Sequence, residues 1–326
     1  MPGDGHSSGF VRQSMQIGLT IAAMKALEVR RAQPLLFDAH ARTILDAVAD
    51  PHTQTLLDIG LHENPSTANE LSTHLLANYV AAMCRYYDES LLASVTNGIR
   101  QVVLLAGGLD TRAYRLSWPA GTVVYEVDYA EVLTVKMKAL DNAGAEPHTT
   151  QRMVLCGLGE QWQAELTLAG FDPDIPTAWL AECVVCNLPG GSHDTMFERI
   201  IEMSAPGSII ATDNDPLAPS GRTWGEAVDA VLPDALRGAD YSALAHRDER
   251  THPGDWLAGH GWLTRTYTTR ELAERYGRPF GNELVPGFDD LADRRFLTAM
   301  LPTDYLAHST ESPLSDGACG PVRFVP

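Results

Sequence analysis

Residues 101–128 constrain the fold of this chain more tightly than any other stretch. Gln101-Val102-Val103-Leu104-Leu105-Ala106 is a short apolar run without alternation, the pattern of a parallel strand buried on both faces. It ends on Gly107-Gly108-Leu109-Asp110, and a second such run at 122–127 closes on Glu126-Val127-Asp128. A buried strand, a glycine turn and a second strand ending in acid open an α/β sheet whose strands run parallel.

The remaining chain repeats the unit. Apolar runs recur at 152–156, 178–185 and 208–212, with helical patterns at 130–143, 161–168 and 193–204 between them. This alternation predicts a Rossmann-like, doubly wound, mostly parallel α/β sheet with right-handed crossovers. After Asp213 a Pro/Gly-punctuated segment interrupts it to about Pro253, and an interruption of that length reads as a lid. The sheet resumes at 262–267, followed by a helix at 269–276 and a last strand at 295–301, for seven strands. Ahead of the sheet, 14–49 favours helix with a break at Pro34, and 67–94 is a second helical stretch. The expected organisation is a helical cap over 1–98, lying on the sheet's edge or ligand face, and a ligand-binding domain over 99–326 with an insertion at 214–253. The Gly/Ser-rich first nine residues and the Gly/Pro-rich last dozen read as loose termini.

Charge narrows the partners. With 24 basic against 42 acidic residues, the formal charge of −18 repels polyanions, so neither nucleic acid nor an anionic membrane is an expected partner. No basic start leads into an apolar run and no stretch is apolar enough to span a bilayer, so the expected location is cytoplasmic, with a homodimer left open. Cys183-Val184-Val185-Cys186 has C-x-x-C spacing, but it lacks a second pair and lies in a run read as buried strand. Core thiols, and no metal, are the expectation.

In an open parallel sheet, ligands bind beyond the carboxyl ends of the strands. Glycines there let backbone approach a ligand, and acid after the second strand accepts hydrogen bonds from ribose hydroxyls. Glu126 and Asp128 are the candidates, although an Asp at this place also reads as a helix N-cap. A dinucleotide site would carry G-x-G-x-x-G facing a pyrophosphate. The turn here is A-G-G-L-D, and its Asp110 repels pyrophosphate but tolerates a sulfonium and an amino group. S-adenosylmethionine (SAM) therefore fits better than a nicotinamide dinucleotide. Candidate proton acceptors are His193, Asp213, Asp215 and Tyr79, each with a plain structural reading, such as capping or opening a helix, beside the catalytic one.

The run from Gln101 to Leu116, with Asp110-Thr111-Arg112-Ala113-Tyr114-Arg115 inside it, resembles the leucine carboxyl methyltransferase family, also called the protein phosphatase methyltransferase family, and especially its actinobacterial branch. The likeness continues through Trp118-Pro119-Ala120-Gly121, Tyr125-Glu126-Val127-Asp128, Trp179-Leu180-Ala181-Glu182 and Trp256-Leu257-Ala258-Gly259-His260-Gly261-Trp262. The resemblance implies that Arg85 holds the SAM carboxylate with help from Lys25, and that Gly107 and Gly108 line the methionine portion. It further implies that Asp128 takes the ribose, that Glu182 lies near the amino group, and that Leu158 is a cofactor contact. Three departures stand out: A-G-G where the family has G-A-G or A-A-G, Gly157 where it has an aspartate facing the adenine, and Asn187 where it often has a tyrosine on the substrate side.

Members of this family methylate natural products, an indole carbon among them, or a protein terminal carboxylate, or a modified RNA base. The charge of −18 ranks a small neutral acceptor first, and an indole-type carbon is the expected target. Trp224, Tyr241, Trp256 and Trp262, with His246, His252 and His260, would suit a flat aromatic acceptor, although Trp256 and Trp262 read better as core. Carboxyl O-methylation of a small acid or peptide terminus is the alternative, and a SAM-binding protein without catalysis is the alternative of another class.

Overall fold

The computed structural model describes residues 4–303 except 63, 216, 234–235, 237–240, 242–245, 249 and 281–284. Its strands are β1 (Gln101–Leu105), β2 (Val123–Asp128), β3 (Thr150–Leu155), β4 (Thr177–Ala181), β5 (Ile209–Asp213), β6 (Leu263–Thr268) and β7 (Arg295–Met300). They form one sheet in the order β3-β2-β1-β4-β5-β7-β6. The first five run parallel, while β7 inserts antiparallel between β5 and β6. The order reverses between β1 and β4, which opens a crevice at their carboxyl ends.

β1 and β4 are buried throughout, as their unbroken apolar runs require. Their side chains alternate between two cores, in keeping with the period of two in a strand. Val102, Leu104, Ala178 and Leu180 pack with the N-terminal helices, whereas Val103, Leu105 and Trp179 pack on the opposite face. Both faces are therefore covered, by α1 (Asp4–Glu28), α2 (Ala39–Val48), α3 (Pro51–Ile59), α4 (Ala68–Thr96), α5 (Arg112–Arg115) and α6 (Ala130–Asn142) among others, and by α7 (Trp162–Leu168) and α8 (Gly190–Glu202).

Local chemistry sets the helix bounds. The expected break near Pro34 separates α1 from α2: the chain turns back, the Glu28 carboxylate accepts the Leu35 amide at 2.7 Å, and Asp38 caps α2 by accepting from His40 and Ala41. A cap of this kind contributes about 1 kcal/mol. α4 opens on a capping box between Thr67 and Glu70. Two expectations are corrected here. Of the first nine residues, 4–9 are not loose, because α1 already begins at Asp4; residues 1–3 and the last dozen lie outside the described residues. The fourth strand ends at Ala181 rather than at 185, because Cys183 turns left-handed at φ 57° and a single 3-10 turn, Val185–Asn187, follows. The C-x-x-C pair thus sits in a turn. Among the described residues no cluster of three or more metal-ligating side chains occurs, and no helix is long and apolar enough to cross a membrane. The segment 214–253, read from the sequence as an insertion, is described in part and carries α9 (Trp224–Val231), whose Trp224 is buried.

Candidate functional site

A cavity of about 270 Å³ lies at the carboxyl ends of β1, β2 and β4. Its roof is α1. Ser14, Ile17, Gly18, Ile21, Ala22 and Lys25 line it, and their spacing of three and one puts all six on one helix face. A β-carbon at Gly18 would come within 3.3 Å of the Leu109 side chain, so the glycine lets the roof approach the first turn.

The floor is the turn after β1. Gly108 adopts φ 53°, and its amide donates to Asp128 Oδ2 at 2.7 Å across the mouth of the sheet; the Tyr129 amide donates to Asp128 Oδ1 at the same distance. Asp128 is therefore not the N-cap of α6, a position held by Tyr129. Burial pushes its carboxyl up from the ordinary range, and the two amides partly offset that. Each carboxylate oxygen keeps a lone pair for a ligand hydroxyl. Ala106 is left-handed too, at φ 48°. Ala106→Gly should stabilise the fold by about 0.5–1 kcal/mol, the steric relief exceeding the extra chain entropy of glycine. Urea unfolding measures this, and a loss of stability would mean that the Ala106 methyl group packs usefully.

Of the expected site residues, the cavity brings together Lys25, Gly107, Gly108, Asp110, Asp128, Leu158 and Glu182. Arg85 is elsewhere. It projects from the outer side of α4 with its side chain 45% exposed, bonded to Glu89 at 2.7 Å and to the Leu35 carbonyl at 3.0 Å. Its neighbour Cys84 and the acid Asp88 face inward instead. Glu126 shares a strand face with Asp128 but lies one pleat deeper, about 7 Å down the strand. There it is fully buried and paired with Lys136 of α6 and with Gln151 at 2.6 Å.

The expected bases also lie outside the lining. His193 is fully buried, its ring 5.0 Å from that of Phe197 and its Nδ1 2.9 Å from Asp194; burial lowers its pKa. Asp213 is buried against Arg294 at 2.7 Å, and Asp215 accepts from the Arg295 backbone and side chain. Tyr79 is buried beside Phe296, and desolvation pushes its phenol well above the ordinary range. Trp224, Tyr241, Trp256 and Trp262 do not reach the cavity either, nor do His246, His252 and His260.

Sequence reasoning missed Arg112 and Arg115, three apart on α5. Arg112 is fully buried and donates to Glu182 at 2.6 Å, to Asp88 at 2.7 Å and to Asp110. Arg115 donates to both Asp88 oxygens, at 2.5 and 2.8 Å. Burial opposes ionisation of Asp110, but Arg112 and Lys25 outweigh it and hold the carboxyl well below its ordinary range. Burial likewise works against the charge of Lys25, yet Cys84 and the carboxylates Asp38, Asp110 and Glu182 push its pKa up. The clue was two arginines at helical spacing directly after a glycine turn that ends in an acid, Asp110.

At the far end, the place of a side chain on Gly157 is filled. A β-carbon there would lie 2.6 Å from the Tyr129 ring, which itself lines the cavity. Among the described residues the lining carries four carboxylates, Asp38, Asp110, Asp128 and Glu182, against one cation, Lys25. That balance suits a ligand with a sulfonium, an ammonium and a single carboxylate.

The sequence profile of leucine carboxyl methyltransferase matches residues 18–201. A protein of Mycobacteroides abscessus, provisionally named an S-adenosyl-L-methionine-dependent methyltransferase, is 39% identical over 281 residues, covering 86% of this chain and 93% of its own. A Rhodococcus jostii protein of the same provisional name is 38% identical over 308 residues, covering 91% and 99%. The fold is similar to the crystal structure of a Thermobifida fusca protein provisionally described as a methyltransferase, with a TM-score of 0.50 and 13% identity, covering 88% of this chain and 94% of that one.

Proposed function

The chain belongs to the leucine carboxyl methyltransferase family and is a SAM-dependent methyltransferase, and from that premise we propose that its acceptor is a small, uncharged aromatic natural product, methylated at an indole-type carbon. The observation that carries this reading is the cation inventory of the cavity. Among the described residues, Lys25 is the single cation in the lining, and Asp38 already stands 3.8 Å from it. A carboxylate acceptor arrives ionised and needs a cation to orient it, but Lys25 stands beside Asp38 and Arg112, behind the lining, is engaged by Asp110 and Glu182, so no cation in this wall is left for it. The wall formed by Ile17, Ile21, Val184 and Leu188 is apolar and supports a flat, neutral partner.

The cofactor roles follow the same inventory. Asp128 accepts the ribose hydroxyls, Gly107 and Gly108 let backbone approach the methionine portion, Lys25 takes the cofactor carboxylate, and Glu182 faces the ammonium. Asp110, with its carboxylate engaged by Arg112, adds negative potential rather than a direct bond. When bound, SAM supplies a methyl group on a positively charged sulfur, which departs with the bonding pair as a neutral thioether. The residues have only to hold the acceptor carbon in line, about 3 Å from that methyl group, since positioning supplies much of the acceleration. The acceptor's π electrons form the new carbon–carbon bond, and the displaced ring proton goes to water at the cavity mouth.

The test is a mass-shift screen of the purified chain with SAM and indolic, phenolic and carboxylic metabolites. The expected result is a gain of one methyl on an indolic acceptor. Methylation confined to carboxylic acids would overturn the acceptor class. Tight SAM binding with no transfer across the whole panel would favour the non-catalytic reading.

A further inference from the structure

Asp213 lies behind the cavity wall, yet one of its carboxylate oxygens reaches a peptide of that wall. Cys183 carries a β-carbon at φ 57°, a conformation that costs any residue but glycine. Glu182, Cys183 and Val184 all line the cavity, so this turn sets the direction in which the wall's side chains enter. The strained residue is held at both ends: its amide donates to Asp213 Oδ1 at 2.9 Å, and its carbonyl accepts from Asn187 Nδ2 at 2.7 Å. A third tie, from Thr212 Oγ1 to the Ala181 carbonyl at 2.9 Å, joins the same two strand ends. The second oxygen of Asp213 accepts from Arg294 at 2.7 Å, and that guanidinium lies over the Trp224 ring at 3.8 Å. The acid is thereby fixed in place by α9 and by the residue that leads into β7.

We infer that Asp213 is a positioning residue of the cofactor site: its carboxylate accepts the Cys183 amide, holds the left-handed turn, and so aims Glu182 at the cofactor. Without that acceptor the turn relaxes toward an ordinary φ and swings Glu182 out of its contact with Arg112. The inference rests on the assignment of Glu182 to the cofactor wall. A buried ion pair that serves stability alone would predict different behaviour, because the strain at position 183 would then be incidental.

Calorimetric binding of SAM to the full chain, with melting temperatures recorded beside it, separates the two. Asp213→Leu with Arg294→Met removes both charges and leaves apolar side chains in their place, an exchange that folds tolerate. Asp213→Asn with Arg294→Met removes the same charges but keeps an oxygen for the Cys183 amide. The leucine pair should bind SAM about tenfold more weakly, a change of about 1.4 kcal/mol, and the asparagine pair within about twofold of the parent. Adding Cys183→Gly to the leucine pair should restore most of the loss, because glycine adopts positive φ without a steric penalty. Unchanged affinity in the leucine pair, equal loss in both pairs, or no rescue by glycine would each overturn the inference. If the leucine pair does not melt cooperatively, Asp213→Ala with Arg294→Met takes its place in the same comparison. Glu182→Gln, measured alongside, should itself weaken SAM binding; unchanged affinity there would remove the assignment on which the inference rests.

Discussion

Asp128→Ala is expected to reduce SAM binding by at least about a hundredfold, to below calorimetric detection. Hydrogen bonds to a charged acceptor contribute about 1.5–3 kcal/mol each, and loss of two ribose contacts alone amounts to about 3–6 kcal/mol. The substitution also removes the acceptor of the Gly108 and Tyr129 amides, so the floor of the cavity loses the tie that joins the first turn to the end of β2. Asp128→Asn separates these effects. It keeps one oxygen but points an amide N–H at one of those donors, and an intermediate loss of about tenfold is expected. If the alanine variant folds and binds SAM within about threefold of the parent, the ribose is held elsewhere and the site has been drawn around the wrong acid.

The sheet was legible because a fully buried parallel strand leaves an unbroken apolar run, as β1 and β4 do. The end of β4 was not, since nothing about cysteine as a residue type signals a left-handed turn; only the hydrogen-bond partners of Cys183 do that, an acceptor from Asp213 far along the chain and a donor from Asn187 across the turn. Half of the site was legible for a related reason. Residues at strand ends, such as Gly108, Asp128 and Glu182, are aimed by the topology itself. A helix residue is aimed by its angle, and each position turns the side chain by about 100°. Arg85, adjacent to the inward-facing Cys84, therefore falls on the outer surface, while Arg112 reaches the acids from a short helix that sequence periodicity does not mark. His193, Asp213 and Tyr79 have the right functional groups for proton transfer but are enclosed by Phe197, Arg294 and Phe296, partners that lie one turn on or in distant segments.

The departure at position 157 makes the sharpest claim about how this chain binds the adenine end of its cofactor. Gly157→Asp would place a β-carbon 2.6, 2.7 and 2.9 Å from three atoms of Tyr129, closer than packed atoms approach, so the ring must move. Tyr129 is not free to swing harmlessly, because its amide is held by Asp128 and its ring lines the cavity. Overpacking of this kind costs about 1–3 kcal/mol, and the new carboxylate adds a desolvation cost of its own in a buried position. The expected result for the single variant is a SAM affinity lowered by roughly ten- to a hundredfold, with a lower melting temperature. Tyr129→Ala alone removes the ring from the cavity lining but creates the space. The double variant, Gly157→Asp with Tyr129→Ala, should then bind SAM better than either single change, with a favourable coupling of about 1–2 kcal/mol in the double-mutant cycle. Glycine and tyrosine at these two places would thus be one solution and aspartate with a small neighbour another, each filling the same volume beside the adenine. Strictly additive losses in the cycle would mean that Tyr129 and Gly157 do not compete for that space, and the absence of an acid at position 157 would need a different cause.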